Sequence, residues 1–136
     1  MNVSVQWTSD MRFLGTSGSG HAVVMDTSEA NGGLASAAGP MEMVLMGLAG
    51  CSGIDVLHIL KKKRVELQGM HIDIEAERTD THPKVFSQVT VVFRFRGADL
   101  NQKALETAVE LSMEKYCSVA GMVSQTANID WTVVIE

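Results

Sequence analysis

Residues Leu45 to Leu60 read LMGLAGCSGIDVLHIL, with three glycines, one cysteine near the centre and no charge before Asp55. Upstream, Pro40 suits a first helical turn and Glu42 complements the positive helix end, while downstream the run Lys61–Arg64, KKKR, suits the negative end. The spacing predicts one helix from Pro40 into that basic run, about 23 residues and ~34 Å long. It is apolar on nearly every face, so the expectation is a helix wrapped by other elements. Its uncharged run, Met43 to Ile54, is shorter than the ~20 residues that cross a bilayer, and no membrane association is expected. Gly47, Gly50 and Gly53 each cost ~1 kcal/mol of helix propensity relative to alanine. Close packing, or close approach of another backbone or a substrate, would offset that cost.

Period-two alternation marks strands on both sides of this helix. Val3, Val5 and Trp7 alternate with Ser4, Gln6 and Thr8, and short runs follow at Arg12–Thr16 and His21–Asp26, as in a small antiparallel meander. The small-residue segment Asp26–Gly39, DTSEANGGLASAAG, has a length usually tied to mobility or function. After the helix, Met70, Ile72, Ile74 and Ala76 alternate with His71, Asp73, Glu75 and Glu77, and Val89, Val91, Phe93 and Phe95 with Gln88, Thr90, Arg94 and Arg96. The intervening TDTHPK, Thr79–Lys84, carries hairpin turn chemistry. A second helix capped near Asp99 or Asn101 is expected to reach Tyr116, followed by a short helix in CSVAGMVSQT and a last strand over Ile129–Ile135. This order predicts an α+β fold, antiparallel sheets packed on a central buried helix, as one domain over residues 1–136.

The chain has 136 residues, enough to bury a core without a disulfide or metal staple. Apolar residues make up 46%, and the net charge of −5 lacks the basic face that nucleic-acid binding needs. The first ten residues show neither a basic region nor an apolar core of a signal peptide, and there are two cysteines, so a reduced cytoplasmic protein is expected.

Few groups are left for chemistry. Cys51 is mid-helix, where the macrodipole lends little, whereas Cys117 stands where a short helix begins and free amides could favour its thiolate, with the Ser118 hydroxyl beside it. Asp55 and His58 follow Cys51 by four and seven residues on nearly one helix face, and both suit pairing across an interface. At ~10.5 Å along the axis His58 is too far to act as a direct base, and Asp55, one turn away, would oppose ionisation of the thiol. Cys51, Cys117, His21 and His58 are conceivable metal ligands, but no pair has the short spacing of a zinc knuckle, so no metal and no cofactor is expected. His71 and His82, on a wet strand face and in a turn, read as solvated.

Taken together, GPMEMVLMGLAGCSGIDVLHILKKKR (Gly39–Arg64) and EKYCSVAGM (Glu114–Met122) resemble the OsmC/Ohr family, and within it the YhfA-like branch. The similarity in order and spacing extends over nearly the whole chain. It implies an intertwined homodimer with the cysteine-bearing helices packed centrally and strands exchanged around them. It also implies a thiol peroxidase for organic hydroperoxides, with Cys51 as the peroxidatic thiolate, Cys117 as the resolving thiol and a dithiol such as lipoamide as reductant. Two positions depart from the family pattern. The helix-start acid is Glu42 rather than position 41, about 180° around a straight helix and ~13.5 Å from Cys51. No arginine lies between Gly15 and Lys61, which leaves Arg12 as the nearest counterpart of the family's activating arginine. The same scaffold would also serve a non-enzymatic dimeric protein binding an apolar small molecule, or a redox sensor.

Overall fold

Strands β1 (Val3–Ser9), β2 (Arg12–Ser17) and β3 (Ala22–Met25) form the expected antiparallel meander, in that order. The computed structural model describes residues 1–136, which group into two units, Met1–Met46 and Gly47–Glu136. In the first unit, Val5 pairs with Gly15 and Trp7 with Phe13, while Gly15 pairs with Val23, so alternation puts Val3, Val5, Trp7, Phe13 and Val23 on one sheet face. Those five residues are 40–74% exposed, an apolar face that the chain itself leaves open.

The loop after β3 is folded around a carboxylate. Asp26, 1% exposed, accepts hydrogen bonds from the backbone N–H of Thr27 (2.7 Å), Leu34 (3.3 Å) and Ser36 (3.0 Å) and from the Ser36 hydroxyl (2.6 Å). Gly33 is required here, since a Cβ at that position would collide with the Thr27 carbonyl oxygen and stand 2.7 Å from Asp26 Oδ1. Charge-assisted bonds of this kind favour the ionised form, the Ser36 hydroxyl most of all, and hold Asp26 at a pKa of about 2. The segment after β3 thus folds around one anchor.

The long helix α1 spans Pro40–Lys62, as the sequence predicts. Glu42 Oε1 accepts the Gly39 backbone N–H at 2.9 Å, one half of a capping box. At the other end Arg64 adopts φ 57°, and the N–H groups of Arg64 and Val65 reach back to the carbonyls of Lys61 and Leu60, a Schellman stop made without glycine. By length and composition alone α1 could cross a membrane, with a mean hydropathy of 1.8 over its most apolar window, so the shortness of the uncharged run does not by itself exclude a span. Within the chain α1 buries Leu48, Ser52, Gly53, Val56 and Leu60, 28% of that window.

In the second unit β4 (Gly69–Arg78), β5 (Phe86–Arg96) and β6 (Asn128–Ile135) form a sheet with β5 central. One face of β5 supplies Val89, Val91, Phe93 and Phe95, all fully buried, and helix α2 (Gln102–Leu111) adds Leu105, Ala108 and Val109. Asn101 caps α2, its side-chain oxygen accepting the Ala104 N–H at 3.0 Å. Gly53 lets α1 lie close to β4, because a Cβ there would stand 3.0 Å from Ile72 Cδ1, whereas Gly47 and Gly50 face open space. Gly47, Gly50, Ile54 and Leu57 recur every three to four residues and so share one helix stripe; Ile54 and Leu57 are 58% and 46% exposed. The chain alone therefore does not wrap α1.

One pairing differs from the expected antiparallel sheets: β6 runs parallel to β5, from Gln88 beside Asn128 to Phe95 beside Ile135. Parallel neighbours need a crossover, and residues 97–127, with α2 and α3 (Ser118–Val123), provide it. His71 lies on the wet face as expected, its side chain 73% exposed with Nε2 2.9 Å from Asp73 Oδ1, while Arg94 Nε donates to Asp73 Oδ2 at 2.8 Å.

The anchored loop gives a pH test. Because Asp26 is depressed from 3.8 to about 2 on folding, its contribution is complete above pH ~4 and is lost as the pH falls towards 2. Urea denaturation across that range is expected to show Asp26→Asn less stable at neutral pH and less sensitive to acid than the parent chain.

Candidate functional site

Two segments remote in sequence meet in the second unit. Helical geometry continues from α2 through one wide π turn, Ser112–Tyr116, in which the Cys117 N–H bonds to the Ser112 carbonyl at 2.7 Å. That turn carries Ser112 inward to complete burial and sets Cys117 at the cap of α3. π turns are rare and often occur at functional sites. The predicted helix to Tyr116 is thus continuous, but its last turn is not α.

On α1, Cys51 and Asp55 lie at the border between the open stripe and the buried arc of Leu48, Ser52 and Val56. Sγ of Cys51, Sγ of Cys117 and a carboxylate oxygen of Asp55 all lie within 4.8 Å of one another. Both cysteines are free thiols, Cys51 half-buried and Cys117 buried. The Ser112 hydroxyl stands 3.2 Å from both the Ser52 carbonyl oxygen and Asp55 Oδ2, so its single proton is shared between the two acceptors. This bond holds Asp55 from within its own unit. Ser112 has no sequence signature beyond its being a polar residue on the apolar approach to Cys117.

The cap of α3 gives Cys117 the amide donor that its position promised, since the Ala120 N–H reaches its Sγ at 3.4 Å. The expected gain in acidity does not follow. Burial is the larger effect and raises the Cys117 thiol to about 11, with the neighbouring Cys51, through its hydrogen bond and its charge when ionised, acting in the same direction. Cys117 consequently keeps its proton at neutral pH.

The other candidates lie elsewhere. Arg12, in the first unit, donates from Nη2 to Ser9 Oγ at 2.9 Å and to Asp10 Oδ2 at 3.1 Å, bracing the β1–β2 turn. Glu42, also in that unit, caps α1. His21 Nδ1 is 2.9 Å from Ser19 Oγ in the β2–β3 turn, and His58 is exposed. Beside Cys117, a groove of about 490 Å³ is lined by Glu114, Lys115, Ser124, Asn128 and Trp131 among others.

Comparison with known proteins agrees with this architecture. The family model described as OsmC-like protein matches residues 32–132. Protein YhfA of Escherichia coli (strain K12) is 41% identical over 129 residues, covering 95% of this chain and 93% of that protein. Among solved structures, a hypothetical protein from Aquifex aeolicus VF5 superposes with a TM-score of 0.82 at 36% identity, covering 99% of this chain and 96% of its own. The organic hydroperoxide resistance protein OhrB of Bacillus subtilis shares the fold, with a TM-score of 0.65 at 18% identity over 99% of this chain and 96% of its own. A match over most of the chain in both sequence and fold has one reading: the chain belongs to the OsmC family, in its YhfA-like branch.

Proposed function

We propose that the protein is a thiol peroxidase that reduces organic hydroperoxides in the cytoplasm, working as a homodimer through Cys51 and Cys117. The observation that carries the proposal is the meeting of the two thiols, 66 positions apart (117 − 51), within 4.8 Å. A disulfide needs an S–S separation of about 2.05 Å, which a side-chain rotation and a small shift of the π turn would supply. In the proposed cycle the Cys51 thiolate attacks the outer peroxide oxygen, the O–O bond breaks, and the alkoxide takes a proton to leave as alcohol. Cys51 then carries a sulfenic acid. The Cys117 sulfur attacks Cys51, its own proton and the sulfenic hydroxyl leave as water, and a disulfide remains for an external dithiol to reduce.

The division of roles follows burial. The half-buried Cys51 is the thiol a peroxide can reach, and the protonated Cys117 can donate to the Cys51 sulfur until the sulfenic acid forms. The relatives that bear the name organic hydroperoxide resistance protein support the same chemistry by fold.

Stopped-flow mixing of the reduced protein with an alkyl hydroperoxide is expected to show rapid consumption, reduced to the uncatalysed rate in Cys51→Ser. In Cys117→Ser the first turnover remains and the following ones fail. Equal rates for the parent chain and Cys51→Ser would remove the peroxidase reading.

Glu42 and Arg12 stand nearest to the family's helix-start acid and activating arginine, at shifted positions, and enter the proposal as the acid and the cation that ready the thiolate. Glu42→Gln and Arg12→Ala are each expected to slow peroxide consumption at least tenfold while diamide still closes the disulfide. An unchanged rate would take that residue out of the machinery.

The open stripe Gly47, Gly50, Ile54 and Leu57 supports the homodimer, since small residues at helical spacing permit a second helix to approach closely and bury the exposed Ile54 and Leu57. Sedimentation equilibrium is expected to give twice the chain mass and to shift towards the monomer in Ile54→Asp.

A further inference from the structure

The Cys51, Asp55 and Cys117 triangle has a second chemical use. Its three donor atoms come from α1 and from the cap of α3, and all lie within 4.8 Å of one another. Tetrahedral zinc with Zn–S bonds of about 2.3 Å holds its sulfurs about 3.8 Å apart, so the side chains need close by only about 1 Å. Asp55 is already oriented. The Ser112 hydroxyl, fully buried and itself near the Ser52 carbonyl, fixes Oδ2 at 3.2 Å, which is the outer hydrogen bond that ligating carboxylates commonly have. The charges also favour a cation. Ion pairs in the structure engage Asp10, Asp73 and Glu136, whereas the side-chain partner of Asp55 is a neutral hydroxyl. Two thiolates beside that carboxylate would repel one another without a cation among them.

We infer that in the reduced protein Cys51, Cys117 and Asp55 form a binding site for a thiophilic divalent cation of the Zn²⁺ type, with a fourth position left open. Two sulfurs and one carboxylate oxygen suit zinc or cobalt and are too soft for magnesium or calcium. Histidines are not needed: the third donor is Asp55, and neither His21 nor His58 belongs to the triangle. Binding replaces the two thiol protons, which pass to the buffer, with two sulfur–metal bonds. A disulfide between the same sulfurs leaves no thiolate to donate, so the metal-bound and disulfide forms exclude one another, and loading would protect Cys51 from peroxide. The site uses the thiols of the proposed peroxidase but needs no peroxide chemistry.

The test is anaerobic titration of the reduced protein with Co²⁺ in the absence of peroxide. The expected result is a thiolate-to-cobalt charge-transfer band with intense visible bands of four-coordinate cobalt, saturating at one ion per chain. Zn²⁺ displaces them and Mg²⁺ in excess does not. Asp55→Ala, with its near-ultraviolet circular dichroism unchanged, is expected to bind at least tenfold more weakly, and protein oxidised with diamide not at all. The proposal is overturned if the parent chain leaves the cobalt spectrum as it is in buffer, if one ion serves two chains, or if Asp55→Ala or the oxidised protein binds as tightly as the reduced parent. Peroxidase failure leaves the cobalt result untouched, and the reverse holds as well.

Discussion

Ser112 holds the second unit's chemistry in place. Its hydroxyl, completely buried, stands at the same distance from the Ser52 carbonyl and from Asp55, and so ties the end of the α2 helix to the middle of α1. One side chain thus links two segments that each contain a cysteine. The π turn then uses the extra residue in its hydrogen-bonded ring to bring Cys117 to the cap of α3, beside Cys51. Were the helix to continue as regular α through Tyr116, the side chain at position 117 would be rotated and the two sulfurs would no longer face each other.

Burial then makes the two thiols unequal. The Ala120 amide is a real donor to Cys117, yet it does not outweigh the loss of water around a buried sulfur or the negative charge of an ionised neighbour. A helix N-terminus alone does not make a reactive cysteine when the site is dry. Cys51 shares the same neighbourhood but is only half-buried. The pair therefore divides into one accessible sulfur and one kept in reserve, which a stepwise oxidation requires.

The sequence made the elements readable because their local signals are strong. Pro40 with Glu42 and the KKKR run locate both ends of α1, the alternation of β4 and β5 identifies a core face, and Asn101 caps α2 as expected. What it did not disclose depends on partners distant in the chain. The parallel placement of β6 is decided by how the crossover helices return, not by any pattern within Asn128–Ile135. Asp26 looks like a turn residue until its four donors, reaching as far as Ser36, are seen together. Asp55 was legible as a neighbour of Cys51 along the helix, but Ser112, which orients it, lies 57 positions away. The two cysteines were legible as a pair by family resemblance, and their proximity is a product of folding.

The central claim is that the Cys51 and Cys117 sulfurs are poised to bond. It is tested most directly by intact mass and peptide mapping of the reduced protein after one equivalent of an alkyl hydroperoxide. The account predicts loss of two hydrogens per chain and a single cross-linked peptide joining Cys51 to Cys117. A stable gain of oxygen on one cysteine, or a cross-link between other partners, would contradict it.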